Sequence, residues 1–206
     1  DIIINAAWKI NSTLSTEKLR NKNYLKNVKI SKNLTLMAKK FHVKKFLNIS
    51  SINVYKNKNQ KLKEIDLLKS SSNQSKSPEG LAKLFLINLF KKYSIKDFEY
   101  KNLLFSNIYF FNNKKNLLLI DKIYHNLYLK KKFNIYLSKS DDVKIDLIYI
   151  KDAVYAVDFF LKKLIKKKFK HQFINIGSGK GYSLKNVIKL ISGKKPLKIK
   201  YFKNKT

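Results

Sequence analysis

The chain of 206 residues contains no cysteine, two prolines, five glycines and a single arginine, Arg20. Without cysteine there can be no disulfide and no thiolate metal ligand, and the compartment is left open, because a cysteine-free chain suits either redox environment. The three histidines, His42, His125 and His171, are too scattered for a helical metal pair, so no metal site is expected. No Ser/His/Asp constellation has support beyond the residue types being present. Apolar runs such as Ile2 to Ile4 and Leu117 to Ile120 fall far below the roughly 20 residues of a membrane span, and no membrane partner is expected. What is present is apolar enough to fold. With 44% hydrophobic and 13% aromatic residues the chain does not have the composition of a disordered basic tail. Asp1 leads straight into an apolar run, and the chain is expected to be a piece of something longer.

Acidic residues are also scarce, 13 against 46 basic ones, which gives a net charge of +33. Such a balance is the electrostatic footprint of a nucleic-acid binder. Its texture points elsewhere. Recognition of phosphates and bases leans on the planar, bidentate guanidinium, and here one arginine stands among 46 basic residues. The lysines run the length of the chain beside asparagine and isoleucine, the mix expected when an AT-rich coding sequence fills permissive surface positions. Lys130 to Lys132 and Lys166 to Lys168 each close a segment of helical period, where cations face the negative end of the helix dipole. Nucleic acid is not the expected partner, although a basic binder on this fold is kept as an alternative.

Periodicity gives short apolar strands alternating with longer helices. The expected strands are Asp1–Asn5, Lys45–Ile49, Glu99–Phe105, Asn134–Leu137, Lys144–Ile150, Phe173–Ile176 and Leu197–Phe202. The expected helices are Tyr24–Phe41, Pro78–Tyr93, Lys115–Lys131, Lys151–Lys167 and Ser183–Ser192, and Lys69 to Ser77 reads as an exposed loop. Strands followed by helices imply an α/β chain with a parallel sheet and crossover helices on its faces. Ligands of such sheets sit beyond the carboxyl ends of the strands. Asn5, Ala6 and Ala7 follow the first strand, Ser50 and Ser51 close the second, Ser77 to Lys83 open the next helix, and Asn107 and Tyr109 follow the third strand.

The ordered motifs IIINAA, NVKISKNLTLMAKKFHVKKFLNISSINVY, SPEGLAK, SNIY, KIDLIYIKDAV and FINIGSG resemble the extended short-chain dehydrogenase/reductase family of NAD(P)-dependent nucleotide-sugar epimerases, dehydratases and reductases. The approach to SNIY and Glu64 after SINVY are also similar to the GDP-fucose synthase type. The resemblance implies a Rossmann-like parallel sheet lacking its N-terminal βα units. Residues 1–110 would be the C-terminal portion of the NAD(P)-binding domain, and 111–206 mainly the substrate-binding part with interleaved Rossmann elements. It implies hydride transfer at a sugar carbon with NAD or NADP, a nucleotide-sugar substrate, a homodimer through helices of the Rossmann part, and a cytoplasmic setting.

Position by position, Ser51 matches the catalytic Ser/Thr and Lys83 the lysine that holds the nicotinamide ribose. Ala6, Ala7, Asn27 and Ser50 match cofactor-facing positions, and Asn107 a substrate contact. Glu79 stands where the family has its tyrosine acid/base, as a weak base beside an ammonium. Phe110 replaces a glycine, and Ile145 stands in place of a diphosphate-binding arginine, with Lys144 next door as the candidate point charge, although alternation along a strand turns it to the opposite face. These departures carry the alternative of a catalytically degenerate relative. The family's glycine-rich pyrophosphate turn belongs before the first strand of this chain. The cluster Gly177, Ser178, Gly179 and Gly181 reads as a structural turn instead, Trp8 reads as a core residue, and the paired serines 50 and 51 could simply satisfy backbone groups.

Overall fold

The computed structural model describes residues 1–9, 17–56, 61–69, 77–92, 98–110, 119–125, 128, 134–138, 144–166, 170–193 and 198–202. It divides into two compact units, residues 1–105 with 155–176 and residues 106–154 with 177–206. One boundary, between residues 154 and 155, passes through a helix, and another falls between residues 105 and 106, which puts 106–110 in the second unit.

The first unit is built on a parallel sheet of β1 (Ile2–Asn5), β2 (Lys45–Ser51), β3 (Glu99–Phe105) and β7 (Phe173–Ile176), in the order β1-β2-β3-β7. The expected strands form within a residue or two of their predicted ends. Ile3, Phe46 and Tyr100 share one face and enter a core with Ala38 of α1 (Glu17–Lys40) and Leu84, Leu86, Ile87 and Phe90 of α3 (Pro78–Lys91). Aromatic packing ties the sheet to α3, with the Phe46 and Phe90 rings 4.6 Å apart at a tilt of 46°, a geometry that suits the ring quadrupoles.

α1 starts at Glu17, seven residues before the predicted start at Tyr24. Its first turns, EKLRNKN, join the good helix formers Glu, Lys, Leu and Arg to two asparagines and carry no apolar stripe, so hydrophobic periodicity does not mark them. At the other end His42 takes the left-handed conformation (φ 50°) that glycine usually supplies. The Val43 N–H donates to the Ala38 carbonyl (2.9 Å) and His42 N–H to Lys39 (3.1 Å), a Schellman stop that drops Val43 into the core beside Ala38. α3 opens with Pro78 at its first position and Ser77 Oγ accepting from Gly80 N–H at 3.1 Å, the cap chemistry its sequence predicts. Of the segment predicted as a loop, Lys69 instead ends a short helix, α2 (Ile65–Lys69), too brief to show a period, and Ser77 caps α3. Residues 70–76 lie outside the described residues.

In the second unit, β4 (Asn107–Tyr109) pairs parallel with β6 (Lys144–Tyr149), which pairs antiparallel with β8 (Gly181–Ser183). The antiparallel pair and the two three-residue strands are departures from the expected alternation, since runs this short carry no signal of their own. β5 (Asn134–Ser138) pairs parallel with β9 (Lys198–Phe202). Ile120 and Ile123 of α4 (Leu119–Tyr124) pack with Leu184, Val187 and Ile188 of α6 (Leu184–Ser192) in a separate core. The helix predicted over 115–131 is seen at Leu119–Tyr124, and Lys130 to Lys132 lie outside the described residues. α5 (Ile150–Ile165) begins in this unit and continues into the first, where Lys45 Nζ donates to its last carbonyls, Leu164 and Ile165, both at 3.0 Å.

Candidate functional site

At the carboxyl end of β1 the chain turns through side-chain chemistry. The Ala7 N–H donates to Asn5 Oδ1 (3.0 Å), an Asx-turn that ends the strand and leaves Ala6 and Ala7 exposed. Two residues on, the backbone of Lys9 is held by Asn27 of α1. Lys9 N–H donates to Asn27 Oδ1 (2.8 Å) and Asn27 Nδ2 donates to the Lys9 carbonyl (3.0 Å). Asn27 thus shapes the segment Ala6–Lys9 from behind, through its backbone. Between these two anchors the Trp8 indole lies under the Lys83 ammonium, 4.2 Å from the ring centroid.

β2 ends in Ser50 and Ser51. Ser50 is buried, and its Oγ has no hydrogen-bond partner among the described residues. Ser51 caps the 3-10 turn Ile52–Val54, its Oγ accepting from Asn53 N–H at 3.2 Å. That bond is the backbone-satisfying role open to a strand-end serine, and it leaves the hydroxyl proton free to be donated. The turn packs against α3, on which Glu79 and Lys83 stand one turn apart on the same face. Burial brings the Lys83 ammonium down to about 8, because the charged form is the one that loses hydration. Ala6, Ala7, Asn27, Ser50, Ser51, Glu79 and Lys83 all belong to the first unit.

Asn107 and Lys144 belong to the second unit and are exposed there. Asn107 Nδ2 donates to the Asp146 carbonyl at 3.1 Å. Lys144 faces solvent while Ile145 packs on the α4–α6 core, as strand alternation predicts. The glycine-rich turn is already filled by the chain's own carboxylate. Asp146 Oδ1 accepts from the N–H and Oγ of Ser178, both at 2.8 Å, and Oδ2 accepts from Gly179 N–H at 3.0 Å. A Cβ on Gly177 would stand 2.5 Å from Asp146 Oδ2.

Sequence reasoning passed over three features. Asp146 reads as a strand residue of no note, and only its pairing with the turn gives it a role. Tyr55, buried, donates to Asn175 Oδ1 (2.9 Å), and Asn175 in turn donates from its backbone to Glu64 Oε1 (2.8 Å) and from its amide to the Leu62 carbonyl (3.2 Å). Burial pushes the Tyr55 hydroxyl up to about 12, so it is a neutral structural donor. The third feature is a row of buried asparagines, Asn5, Asn48 and Asn102, which asparagine-rich composition hides. A shallow cleft also lies at the opposite, amino-terminal end of β3, lined by Phe90, Lys91, Phe98 and Lys101 among others, away from the edge where parallel sheets bind ligands.

Among the described residues no cluster of His, Cys, Asp or Glu could hold a metal ion, and no helix is long and apolar enough to cross a membrane. A family model described as the NAD dependent epimerase/dehydratase family matches residues 1–177. Solved structures agree in fold. An NAD-dependent NDP-hexosamine 5,6-dehydratase involved in tunicamycin biosynthesis superposes with a TM-score of 0.77 at 18% identity, over 97% of this chain and 62% of that one. A UDP-N-acetylglucosamine 4-epimerase from Bacillus cereus gives 0.70 at 22% identity, over 98% and 66%. A UDP-glucuronic acid 4-epimerase from Bacillus cereus, in complex with NAD, gives 0.75 at 21% identity, over 98% and 62%. The chain therefore spans about two thirds or a little less of the length of these structures. No curated protein matches it in sequence.

Proposed function

This chain belongs to the NAD-dependent epimerase/dehydratase family, and from that premise we propose that it forms the nicotinamide-side half of a site for hydride transfer on a nucleotide sugar. One observation carries the reading: the segments following β1 and β2 and the first turns of α3 are assembled in one unit, with Ser51 at the strand end and Lys83 stacked over Trp8. The residues fit a flat dinucleotide. Ala6 and Ala7 expose little more than backbone, and the orphaned Ser50 Oγ is a buried polar atom awaiting a partner. NAD, when bound, supplies the hydride acceptor. Ser51 donates its hydroxyl proton toward the reacting sugar oxygen, Lys83 binds the ribose hydroxyls, and Glu79 takes the acid/base position. Asn107 and Lys144 of the second unit are proposed to face the nucleotide sugar.

The family is NAD-dependent, one of these structures is an NAD-dependent dehydratase and another holds NAD, which favours NAD over NADP. The test is direct because Trp8 is the only tryptophan. Titration with NADH should quench Trp8 emission saturably and sensitise nicotinamide emission. A flat titration sinks the reading. A panel of UDP-, dTDP- and GDP-sugars with NAD then identifies the reaction.

A second reading is favoured by one residue. Glu79 sits in the first turn of α3, next to the Ser77 cap, where a carboxylate is already accounted for by the helix dipole. On this reading the chain keeps the fold and the nicotinamide-side residues but has lost the acid/base.

A further inference from the structure

Across the first three strands of the parallel sheet, Asn5, Asn48 and Asn102 stand in direct register. All three are buried, at 4%, 3% and 0% exposure. In-register side chains of neighbouring strands lie about 4.8 Å apart at the backbone, close enough for one amide to reach the next. Asn5 Nδ2 donates to Asn48 Oδ1 (2.9 Å), and Asn48 Nδ2 donates to Asn102 Oδ1 (2.9 Å). Tyr100 fastens the far end, its hydroxyl donating to Asn102 Oδ1 at 2.7 Å. Burial raises that hydroxyl's pKa well above the ordinary tyrosine value, so it stays a donor throughout the accessible pH range. The near end is open to function, because Asn5 Oδ1 accepts the Ala7 N–H.

A buried polar row of this kind is costly unless its members satisfy each other; here Asn5 and Asn48 pair along the row, while Asn102 Nδ2 at the far end is buried without a partner among the described residues. A one-residue slip of β1 against β2 would send Asn5 to the other face and leave its partners unpaired. The row ends on the segment that Asn27 clamps from the other side, at Lys9. Ala6–Lys9 is therefore held at both ends by asparagine amides, with Trp8 pinned beneath Lys83 between them.

We propose that Asn102, Asn48 and Asn5 act in series as positioning residues, presetting the Ala6–Lys9 segment as the surface on which the dinucleotide rests. This inference rests on the function proposed above. A preset surface loses less freedom on binding, so the row should appear in affinity and leave the chemical step alone.

The test uses the chain with Asn48→Leu, which breaks the row at its centre, and with Tyr100→Phe, which removes one hydroxyl and is the milder change. Two readouts are taken: amide hydrogen exchange of Ala7 without ligand, and the NADH dissociation constant from Trp8 quenching. The expected result is Ala7 exchange about tenfold faster in Asn48→Leu and about threefold faster in Tyr100→Phe, with the Leu103 and Leu104 amides unchanged. NADH binding should weaken by similar factors. Unchanged Ala7 exchange in a folded variant overturns the proposal, as does faster exchange with unaltered NADH affinity. If Asn48→Leu does not fold, Tyr100→Phe decides alone. If the unaltered chain does not bind NADH, the dinucleotide reading fails separately, and the exchange arm still decides whether the row holds the segment.

Discussion

The Lys83 ammonium lies 4.2 Å from the centroid of the Trp8 ring, and burial lowers it from the ordinary 10.5 to about 8. The attraction of a cation to an indole face offsets part of the dehydration, at about 0.5–2 kcal/mol. The displacement of the titration corresponds to about 3 kcal/mol against the folded state at neutral pH. Between pH 8 and 10.5 the unfolded chain still holds the proton that the folded chain has released. Stability therefore rises with pH across that window, and below pH 8 the cost is present in full. Lys83→Met should accordingly be more stable by about 1–3 kcal/mol in urea at pH 7, and the gain of the unaltered chain between pH 8 and 10.5 should disappear. On the proposed function the same variant should lose turnover about 100-fold or more, since the charge proposed to bind the ribose is gone. A variant less stable than the parent at pH 7 would show that the stacking outweighs the burial.

On the proposed function Ser51 has two separable duties. Its oxygen accepts from Asn53 N–H at 3.2 Å and so ends β2, while its proton remains available to a substrate oxygen. Ser51→Ala should cost about 1 kcal/mol through the lost cap and about 100-fold in turnover. Ser51→Thr keeps both groups and should recover most of each. Thermal denaturation and initial rates measured side by side check this. Loss of stability alone would mean that only the capping role is real.

Glu79 separates the two readings of function. A carboxylate at this position lacks the phenolic hydroxyl that the family resemblance places there as acid/base. Glu79→Tyr should raise turnover about tenfold or more, despite removing a carboxylate from the first turn of α3, where it contributes about 0.5 kcal/mol. Rates on the sugar nucleotide identified by the panel provide the check. A fall in rate would mark Glu79 as an adapted catalytic group.

These residues also show what the sequence could and could not disclose. The sheet of the first unit was legible because its strands are short apolar runs, Ile-rich in β1 and β7 and carrying aromatics and leucine in β2 and β3, and α3 was legible because Ser77-Pro78 opens an apolar period. Ser51 and Lys83 stood out only within an ordered set of motifs. Asn5, Asn48 and Asn102 did not stand out, because register between strands lies outside any local window and asparagine is common throughout this chain. Asp146 was invisible for the same reason, since its partners are 32 and 33 residues away. The start of α1 escaped notice because its first turns follow helix propensity, with no apolar stripe.

α1 turns a polar, small-residue face inward, with Asn23, Asn27, Ser31 and Ala38 buried, while its exposed side is lysine-rich with Leu19, Leu25, Leu36 and Met37 set among the lysines. Leu25 and Leu36 are 65% and 64% exposed, and eleven residues of helix bring them back to one stripe, which Lys29 and Lys32 share. Leu81 of α3, the helix against which α1 packs, is also exposed. The homodimer implied by the family resemblance would use helices of this part, and we propose that these exposed leucines lie within it. Leu36→Glu should convert a dimer of the chain to a monomer by light scattering, with helix content unchanged. A parent chain that is monomeric at 100-fold dilution and at high concentration alike would refute it.

At the glycine-rich turn, space and backbone conformation make separate demands on Gly177 and Gly179. Gly179 has φ +75° and nothing within 4 Å of where a Cβ would stand, so Gly179→Ala has room but the wrong backbone, a cost of about 1 kcal/mol. Gly177 shows no such left-handed φ, yet its Cβ would meet Asp146 Oδ2 at 2.5 Å and Ser106 Oγ at 3.0 Å. Gly177→Ala must push the carboxylate out of three hydrogen bonds, each to a charged acceptor and worth about 1.5–3 kcal/mol. It should therefore destabilise the chain by more than about 2 kcal/mol, well beyond Gly179→Ala. Asp146→Ser removes the obstructing carboxylate at its own cost. In that background Gly177→Ala should lose most of its penalty, a non-additivity that denaturation of the four proteins in the cycle measures. Equal penalties in both backgrounds would mean that the turn, and not the carboxylate within it, sets the requirement for glycine.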